Sequence, residues 1–128
     1  MTNMIDSRPI EVKLAENKEK TEKLVKIFYV RLCESMPEKK FSYKLLSGLG
    51  KIGLEYVINE VKGLSKSPII IIRFFEMQKK GLSELRVEGV SITFELEDKS
   101  YTKTVAVLAN KLKTEAEKVF MSNIRLYF

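Results

Sequence analysis

The amino-acid sequence predicts a single α+β domain over residues 1–128, with N-terminal helices, a small mainly antiparallel sheet, a long amphipathic helix and a short terminal strand. In the first half of the chain, apolar residues recur at the three- and four-residue spacing of a helix with one buried face. Residues 68–76 form a β-branched and aromatic run, and residues 90–97 alternate apolar and polar side chains as half-buried strands do. A chain of this length is typical of one domain with one core.

The N-terminal part of the chain contains three predicted segments. Residues 1–8 have no periodicity and no capping residue, so we expect them to be disordered. Residues 9–14 alternate apolar and polar side chains after an initial proline, which predicts a short edge strand. A helix is predicted at 19–35, and it ends before Pro37 because the residue preceding a proline disfavours the helical conformation. Its apolar face contains Leu24, Val25, Phe28 and Leu32.

Two shorter helices are predicted next, at 42–49 and 54–62. The second has the clearest helical pattern in the chain, because its apolar residues occupy positions i, i+3, i+4 and i+7. These residues are Leu54, Val57, Ile58 and Val61. Gly63 is interpreted as the stop of this helix. The glycine-rich residues 48–53 lack the spacing of a phosphate-binding loop, so they are interpreted as the corner between the two helices.

The most apolar run of the sequence, Ser67–Glu76, is compatible with two conformations. As a strand it offers four isoleucines and two phenylalanines, with Pro68 at its start. As a helix it has a serine N-cap, the same proline in its first turn and Gly81 after its end. Periodicity does not choose between them within a continuous apolar run. We favour the strand, because β-branched side chains lose conformational freedom in helices.

The remaining elements are predicted from alternation, from turn residues and from one amphipathic pattern. In chain order they are a polar loop at 77–84, a strand at 85–87, a tight turn at Glu88–Gly89, a strand at 90–97, a turn at 97–100, a helix at 102–121 and a terminal strand at 124–128. The last strand is so apolar that we expect it to dock in the sheet or against a partner.

The residue types present argue against most catalytic and metal-binding chemistry. The sequence has no histidine, the commonest general base and metal ligand, and its only aspartates are Asp6 and Asp98. The single cysteine, Cys33, rules out an internal disulfide and a multi-cysteine metal site. We interpret it as a small buried apolar residue of the first helix. We therefore predict a protein that is not an enzyme and that has no cofactor and no metal.

Composition also indicates the cellular setting. One cysteine favours a reducing compartment, and no apolar run approaches the roughly 18 residues that cross a bilayer. The N-terminus lacks the basic and apolar regions of a secretory signal. We expect a cytoplasmic protein that does not associate with membranes. The many lysines, glutamates and isoleucines, with Gln78 as the only glutamine, are typical of hyperthermophilic proteins.

Positive charge is concentrated in one segment. The formal net charge is +6, and residues 39–66 contain six lysines against two glutamates. Lysine and arginine bind phosphate groups whatever the base sequence, and Tyr43 and Tyr56 of this segment could stack on bases. The alternative interpretation is a solvated lysine face that serves solubility.

The order of these elements over residues 40–97 resembles the winged helix-turn-helix class of DNA-binding domains. In one register, 42–49 is the positioning helix and 54–62 the recognition helix. In a second register, 54–62 is the positioning helix and 68–80 the recognition helix. The resemblance implies a winged-helix-like fold and DNA binding. Neither recognition helix offers a good set of base-reading side chains: the first carries two glutamates, and the second has only Arg73.

A second resemblance covers about 25 residues. Lys40-Phe41-Ser42-Tyr43, followed by Leu49 and Ile52-Gly53, is similar to the helical signature in the C-terminal domain of archaeal primase large subunits. That family ligates an iron–sulfur cluster with four cysteines. Because this chain has Cys33 alone, the resemblance implies an accessory primase subunit without a cluster.

These observations predict a non-catalytic, DNA-associated protein that binds mainly through phosphate contacts. DNA is expected rather than RNA. The predicted nucleic-acid-binding residues are Lys39, Lys40, Tyr43, Lys44, Lys51, Lys66, Arg73 and Arg86. The alternative is a protein-interaction or accessory subunit of a larger complex. It would use the apolar run, the 102–121 helix or the terminal strand as its interface, in a homodimer or with another protein partner.

Overall fold

The computed structural model describes residues 10–48, 53–80, 85–120 and 123–128. Along the chain, a long helix is followed by four strands, a short 3-10 turn, a second helix and a fifth strand. The predicted disorder of residues 1–8 and the predicted site residue Lys51 lie outside the described residues.

Both long helices are present where the sequence predicts them. Helix α1 covers Ile10–Ser35, and helix α2 covers Thr102–Phe120. The edge strand predicted at 9–14 is wrong over residues 10–14, which form the start of α1. Glu11, Lys13 and Leu14 favour helix over strand, and Ala15 and the charged residues that follow continue the helix. None of the described helices is long and apolar enough to cross a membrane.

The five strands form one sheet whose spatial order follows the chain. The strands are β1 at Phe41–Gly48, β2 at Gly53–Lys62, β3 at Ser65–Lys80, β4 at Leu85–Leu96 and β5 at Asn123–Tyr127. The first four pair antiparallel, so each runs directly into its neighbour. Strand β5 pairs parallel to β4, and α2 makes the crossover that parallel pairing requires.

The helices predicted at 42–49 and 54–62 are wrong. Residues 42–48 belong to β1, and residues 54–62 belong to β2. Residues 68–80, the recognition helix of the second register, belong to β3. In the described residues, neither register of the helix-turn-helix therefore has its two helices. Gly63 does not end a helix but stands in the turn between β2 and β3, where its φ is +60°.

The apolar run at 67–76 forms a strand, as favoured, and it lies in the middle of the sheet. The loop predicted at 77–84 is wrong over residues 77–80, which continue β3, and residues 81–84 lie outside the described residues. The turn predicted at Glu88–Gly89 is also wrong. Strand β4 continues through it, with Gly89 opposite Met77. A two-residue turn signal is overridden here by pairing along a long β3.

Both helices cover the same side of the sheet, which is called the core face below. Its buried residues are Phe41, Tyr56, Ile58, Ile70, Ile72, Phe74, Val90, Ile92, Phe94 and Ile124. They contact the apolar faces of the helices, which are Leu24, Val25, Phe28 and Leu32 on α1 and Val105, Leu108, Ala109, Leu112 and Ala116 on α2. Burial of this set between two layers is the main stabilising contribution to the fold.

Candidate nucleic-acid interface

The other side of the sheet is called the open face, because no described element covers it. Side chains alternate along a strand, so the neighbours of the core-face residues point to this side. The open face contains Lys40, Ser42, Lys44, Glu55, Val57, Asn59, Val61, Lys66, Ile71, Arg73, Phe75, Ser91, Thr93, Glu95, Arg125 and Tyr127. Among the residues whose side chains the structure describes, the charged residues of this face are five cations and two carboxylates.

An ion-paired arginine lies at the centre of the open face. Arg73 Nε donates to Glu55 Oε2 at 2.5 Å, and Arg73 Nη1 lies 2.7 Å from Glu95 Oε2. The hydrogen bond to Glu55 and then that to Glu95 raise the pKa of the guanidinium above its usual value. Strand pairing sets this contact, because Arg73 is directly opposite Glu55 on β2. Two carboxylates neutralise Arg73, so the predicted phosphate contact is not supported for this residue.

Four cations of the open face have no ion pair among the described residues: Lys40, Lys44, Lys66 and Arg125. All four are exposed. Lys40 and Lys66 flank Val61, because the Val61 amide donates to the Lys40 carbonyl and Val61 is paired with Lys66. With strands spaced about 4.8 Å apart, their Cα atoms lie roughly 10 Å from each other. Lys44 lies further along β1, beside Val57.

The β2–β3 hairpin lies at the end of the sheet that carries Lys40 and Lys66. Its two-residue turn is formed by Gly63 and Leu64, and the positive φ of Gly63 is what such a turn needs at its first position. Leu64 is fully exposed at the tip. Lys62 Nζ lies 3.6 Å from Glu60 Oε2. The hairpin therefore presents Lys66 to solvent on the open face.

Two predicted site residues are engaged on the core face instead. Lys39 Nζ donates to Tyr101 Oη at 3.2 Å, lies 3.8 Å from Glu60 Oε1 and stands 4.9 Å from the Tyr101 ring centre. The Tyr43 ring packs on Tyr29 with ring centres 4.9 Å apart. These contacts do not support Lys39 as a phosphate ligand or Tyr43 as a platform for bases.

The carboxylate of Glu60 is the group that Lys39 and Tyr101 contact. Glu60 is only 8% exposed, and Tyr101 Oη donates to its Oε1 at 2.5 Å. That hydrogen bond, followed by the charges of Lys39 and Lys62, holds the pKa of Glu60 below its usual value against the effect of burial. Burial and the same carboxylate raise the pKa of Tyr101. The cluster stabilises the fold and engages Lys39, which the sequence predicted for ligand binding.

The structure thus separates the predicted site into three groups. Lys40, Lys44 and Lys66 lie together on the open face, whereas Lys39, Tyr43 and Arg73 are occupied within the protein. Arg86 is in β4, opposite Lys79, and its side chain lies outside the described part of the chain.

Sequence reasoning missed three open-face residues, Phe75, Arg125 and Tyr127. The signal was present in the terminal strand. There Ile124 and Leu126 alternate with Arg125 and Tyr127, which predicts two faces of opposite character. Phe75 could not be assigned to a face, because the run around it is apolar throughout.

The described residues contain no group of three or more histidine, cysteine, aspartate or glutamate side chains that could hold a metal ion. Cys33 packs against the core, as the sequence predicts, but it is half-buried and not fully buried.

No known protein family matches the chain. No characterised protein and no solved structure shows significant similarity to it.

Proposed function

We propose that this protein binds nucleic acid without catalysing a reaction, mainly through phosphate contacts from the open face, and that DNA is its main ligand. The observation that supports this proposal is the position of Lys40, Lys44, Lys66 and Arg125. They share one uncovered face and have no ion pair among the described residues. Such cations bind phosphates and release counterions, which favours binding to any sequence.

The proposal does not require a helix-turn-helix. A winged-helix-like protein would place a helix in the major groove, but phosphate contacts can come equally from strands and hairpins. The lysines lie at the side of the sheet where the β2–β3 hairpin projects. This side is the part of the molecule that we propose approaches the phosphate backbone.

A salt titration tests the proposal. Fluorescence anisotropy would follow binding to a labelled duplex and a labelled single strand between about 50 and 200 mM salt. Four phosphate contacts predict a log–log slope of about −3 on a single strand and slightly steeper on a duplex. A slope near zero, or no binding at the lowest salt, contradicts the proposal.

Matched charge reversals locate the surface. The triple variant Lys40→Glu, Lys44→Glu, Lys66→Glu should abolish binding, because it reverses three cations of the open face. The control is Lys103→Glu, Lys111→Glu, Lys118→Glu, which makes the same charge change at exposed positions of α2. This control should weaken binding only by the smaller amount that a change in overall net charge causes. Equal loss of binding in both variants would contradict the assignment to the open face.

A second candidate function is a protein-interaction or accessory subunit. It is favoured by β5, which is an edge strand with one side unpaired among the described residues, and by exposed Tyr127 and Phe128 at its end. Edge strands pair readily with another chain. The other two predicted interfaces are less suitable, because β3 is central and α2 packs its main apolar face against the core, which leaves Val107 exposed. Light scattering across a concentration series should detect a homodimer, and a strict monomer would contradict it.

A further inference from the structure

We propose that the open face takes a single strand of nucleic acid, with bases stacked on Tyr127 and Phe75 and phosphates on the four cations that have no ion pair among the described residues. This inference rests on the proposed nucleic-acid function. It adds the strandedness of the ligand and the residues that contact its bases.

Both rings lie on the open face. Phe74 is buried on the core face, so its neighbour Phe75 points to the other side of the sheet. Tyr127 follows Leu126, which packs against the core, and it is therefore also on the open face. Its exposure is 47%, so one side of the ring is available to a ligand.

Strand register places the two rings close to each other. Phe75 is paired with Ser91, and Ser91 is paired with Arg125. Two residues further along the strands, on the same face, Thr93 is paired with Tyr127. Two strand spacings and two residues of rise put the rings roughly 12 Å apart. Sheets that bind single strands use aromatic residues in this way to stack about two or three bases.

The residues between the rings leave room for a ligand. Ser91 and Thr93 occupy the intervening strand, and their side chains are short. Ser91 is 9% exposed, so neighbouring side chains cover most of it, whereas Thr93 is only partly buried. The hydroxyl group of Thr93 is of the type that can donate to or accept from base edges.

The charges favour a nucleic acid over an apolar protein segment at this place. Arg125 lies beside both rings, whereas Lys44 and Lys66 lie on the other side of the ion-paired Arg73 cluster, toward the hairpin. Cations together with aromatic rings on one face are the combination that binds single strands without sequence preference. Paired bases within a duplex have no free face to stack on these rings, which is why the inference specifies a single strand.

The test uses the full chain and oligonucleotides of about 15 nucleotides, a length that covers one such site. The probes are oligo-dT, oligo-U and a duplex of mixed sequence. Tyr127→Ala should weaken single-strand binding by about tenfold while leaving the salt slope unchanged, because a stacking contact is lost and no cation is. Tyr127→Phe should bind like the unmodified chain, because the ring is kept.

Phe128→Ala is the matched control. Phe128 is the adjacent aromatic residue and is 69% exposed, but it stacks on Phe94 of the core face with ring centres 5.4 Å apart. Its loss should not change binding. Phe75→Leu supplies a second variant that keeps an apolar side chain in the half-buried position, and it should weaken single-strand binding as Tyr127→Ala does. Thermal unfolding checks that each variant remains folded.

The outcomes separate this inference from the proposed function. If Tyr127→Ala binds single strands as tightly as the unmodified chain, or if Phe128→Ala weakens binding as much, the stacking assignment is overturned. If Tyr127→Ala weakens binding to the duplex as much as binding to the single strand, the single-strand assignment alone is overturned. No binding by the unmodified chain overturns both. Comparison of oligo-dT with oligo-U determines whether DNA or RNA is preferred.

Discussion

The hydroxyl of Tyr101 donates a hydrogen bond to the carboxylate of Glu60 across 2.5 Å. This contact joins the 3-10 turn at Lys99–Tyr101 to the end of β2, and both residues are buried. Lys39, from the segment that follows α1, completes the cluster. Three distant parts of the chain are therefore held together at one end of the sheet, beside the lysines of the open face.

Replacement of Tyr101 by phenylalanine should destabilise the protein while leaving nucleic-acid binding unchanged. The ring and its packing remain, but Glu60 loses its strongest hydrogen bond in a buried position, which is costly. Urea unfolding should show a lower midpoint with an unchanged slope. Tyr127→Phe is the control, because that hydroxyl is in an exposed residue. A midpoint equal to that of the unmodified chain would contradict the importance of this contact.

Stability should fall in acid, partly through the same carboxylate. The pKa of Glu60 is lower in the folded chain than its ordinary value of 4.5, chiefly because Tyr101 donates to the ionised form. Its contribution is therefore complete above 4.5 and is lost as pH falls through the lower folded value. The pKa of Asp98 is lowered by its bonds with Ser100, so it contributes in the same direction.

Urea unfolding at several pH values between about 6 and 3 measures this dependence. The Tyr101→Phe variant should lose less stability over that range than the unmodified chain, because its Glu60 pKa returns toward the ordinary value. Asp98→Asn removes the carboxylate of Asp98, so its pH profile measures how much that group contributes to the loss of stability in acid. An identical pH profile for the unmodified chain and Tyr101→Phe would contradict the assignment to Glu60.

The two faces of β3 predict opposite sensitivities for neighbouring isoleucines. Ile72 is fully buried on the core face, so Ile72→Ala should cost about 2–5 kcal/mol of unfolding free energy. Ile71 lies on the open face and is only partly buried, so Ile71→Ala should cost less than about 2 kcal/mol. Chemical denaturation of the pair measures the difference. Equal costs would contradict the register of the central strand.

The same alternation explains how far the sequence could predict the fold. Helix α2 and strand β5 were predicted to within one or two residues, because each has one apolar side and one polar side. Strand β2 was predicted as a helix. Its Tyr56 and Ile58 contact the core, but Val57 on the opposite face is also only 5% exposed. A strand with little-exposed apolar residues on both sides has no period of two, and its apolar residues happened to match a helical spacing.

The site was predictable to a smaller extent. Lys40, Lys44 and Lys66 were found from the local charge, which is a property of the sequence. Whether a cation is free depends on tertiary contacts. Arg73 and Lys39 could not be excluded beforehand, because Glu55, Glu95 and Glu60 reach them only through strand pairing.

Gly63 should be the residue least tolerant of substitution in the β2–β3 hairpin. Its φ of +60° is strained for a residue with a side chain, although a Cβ would meet no atom within 4 Å. Gly63→Ala should therefore cost about 1 kcal/mol through the backbone alone, and Gly63→Asn should cost less. The control is Leu64→Ala, which removes a fully exposed side chain and should be nearly neutral. If Gly63→Ala proved as neutral as Leu64→Ala in thermal unfolding, the turn conformation would be wrong.

The most direct test of the central claim is to map a bound single strand by nuclear magnetic resonance. Amide chemical shifts of the labelled protein would be followed as an oligo-dT of about 15 nucleotides is added. The largest shift changes should occur at and beside five residues of the open face: Lys40, Lys44, Lys66, Arg125 and Tyr127. The amides on the exposed side of α2 should change little. Changes concentrated on α1 or α2, with the open face unaffected, would contradict the claim that this face binds nucleic acid.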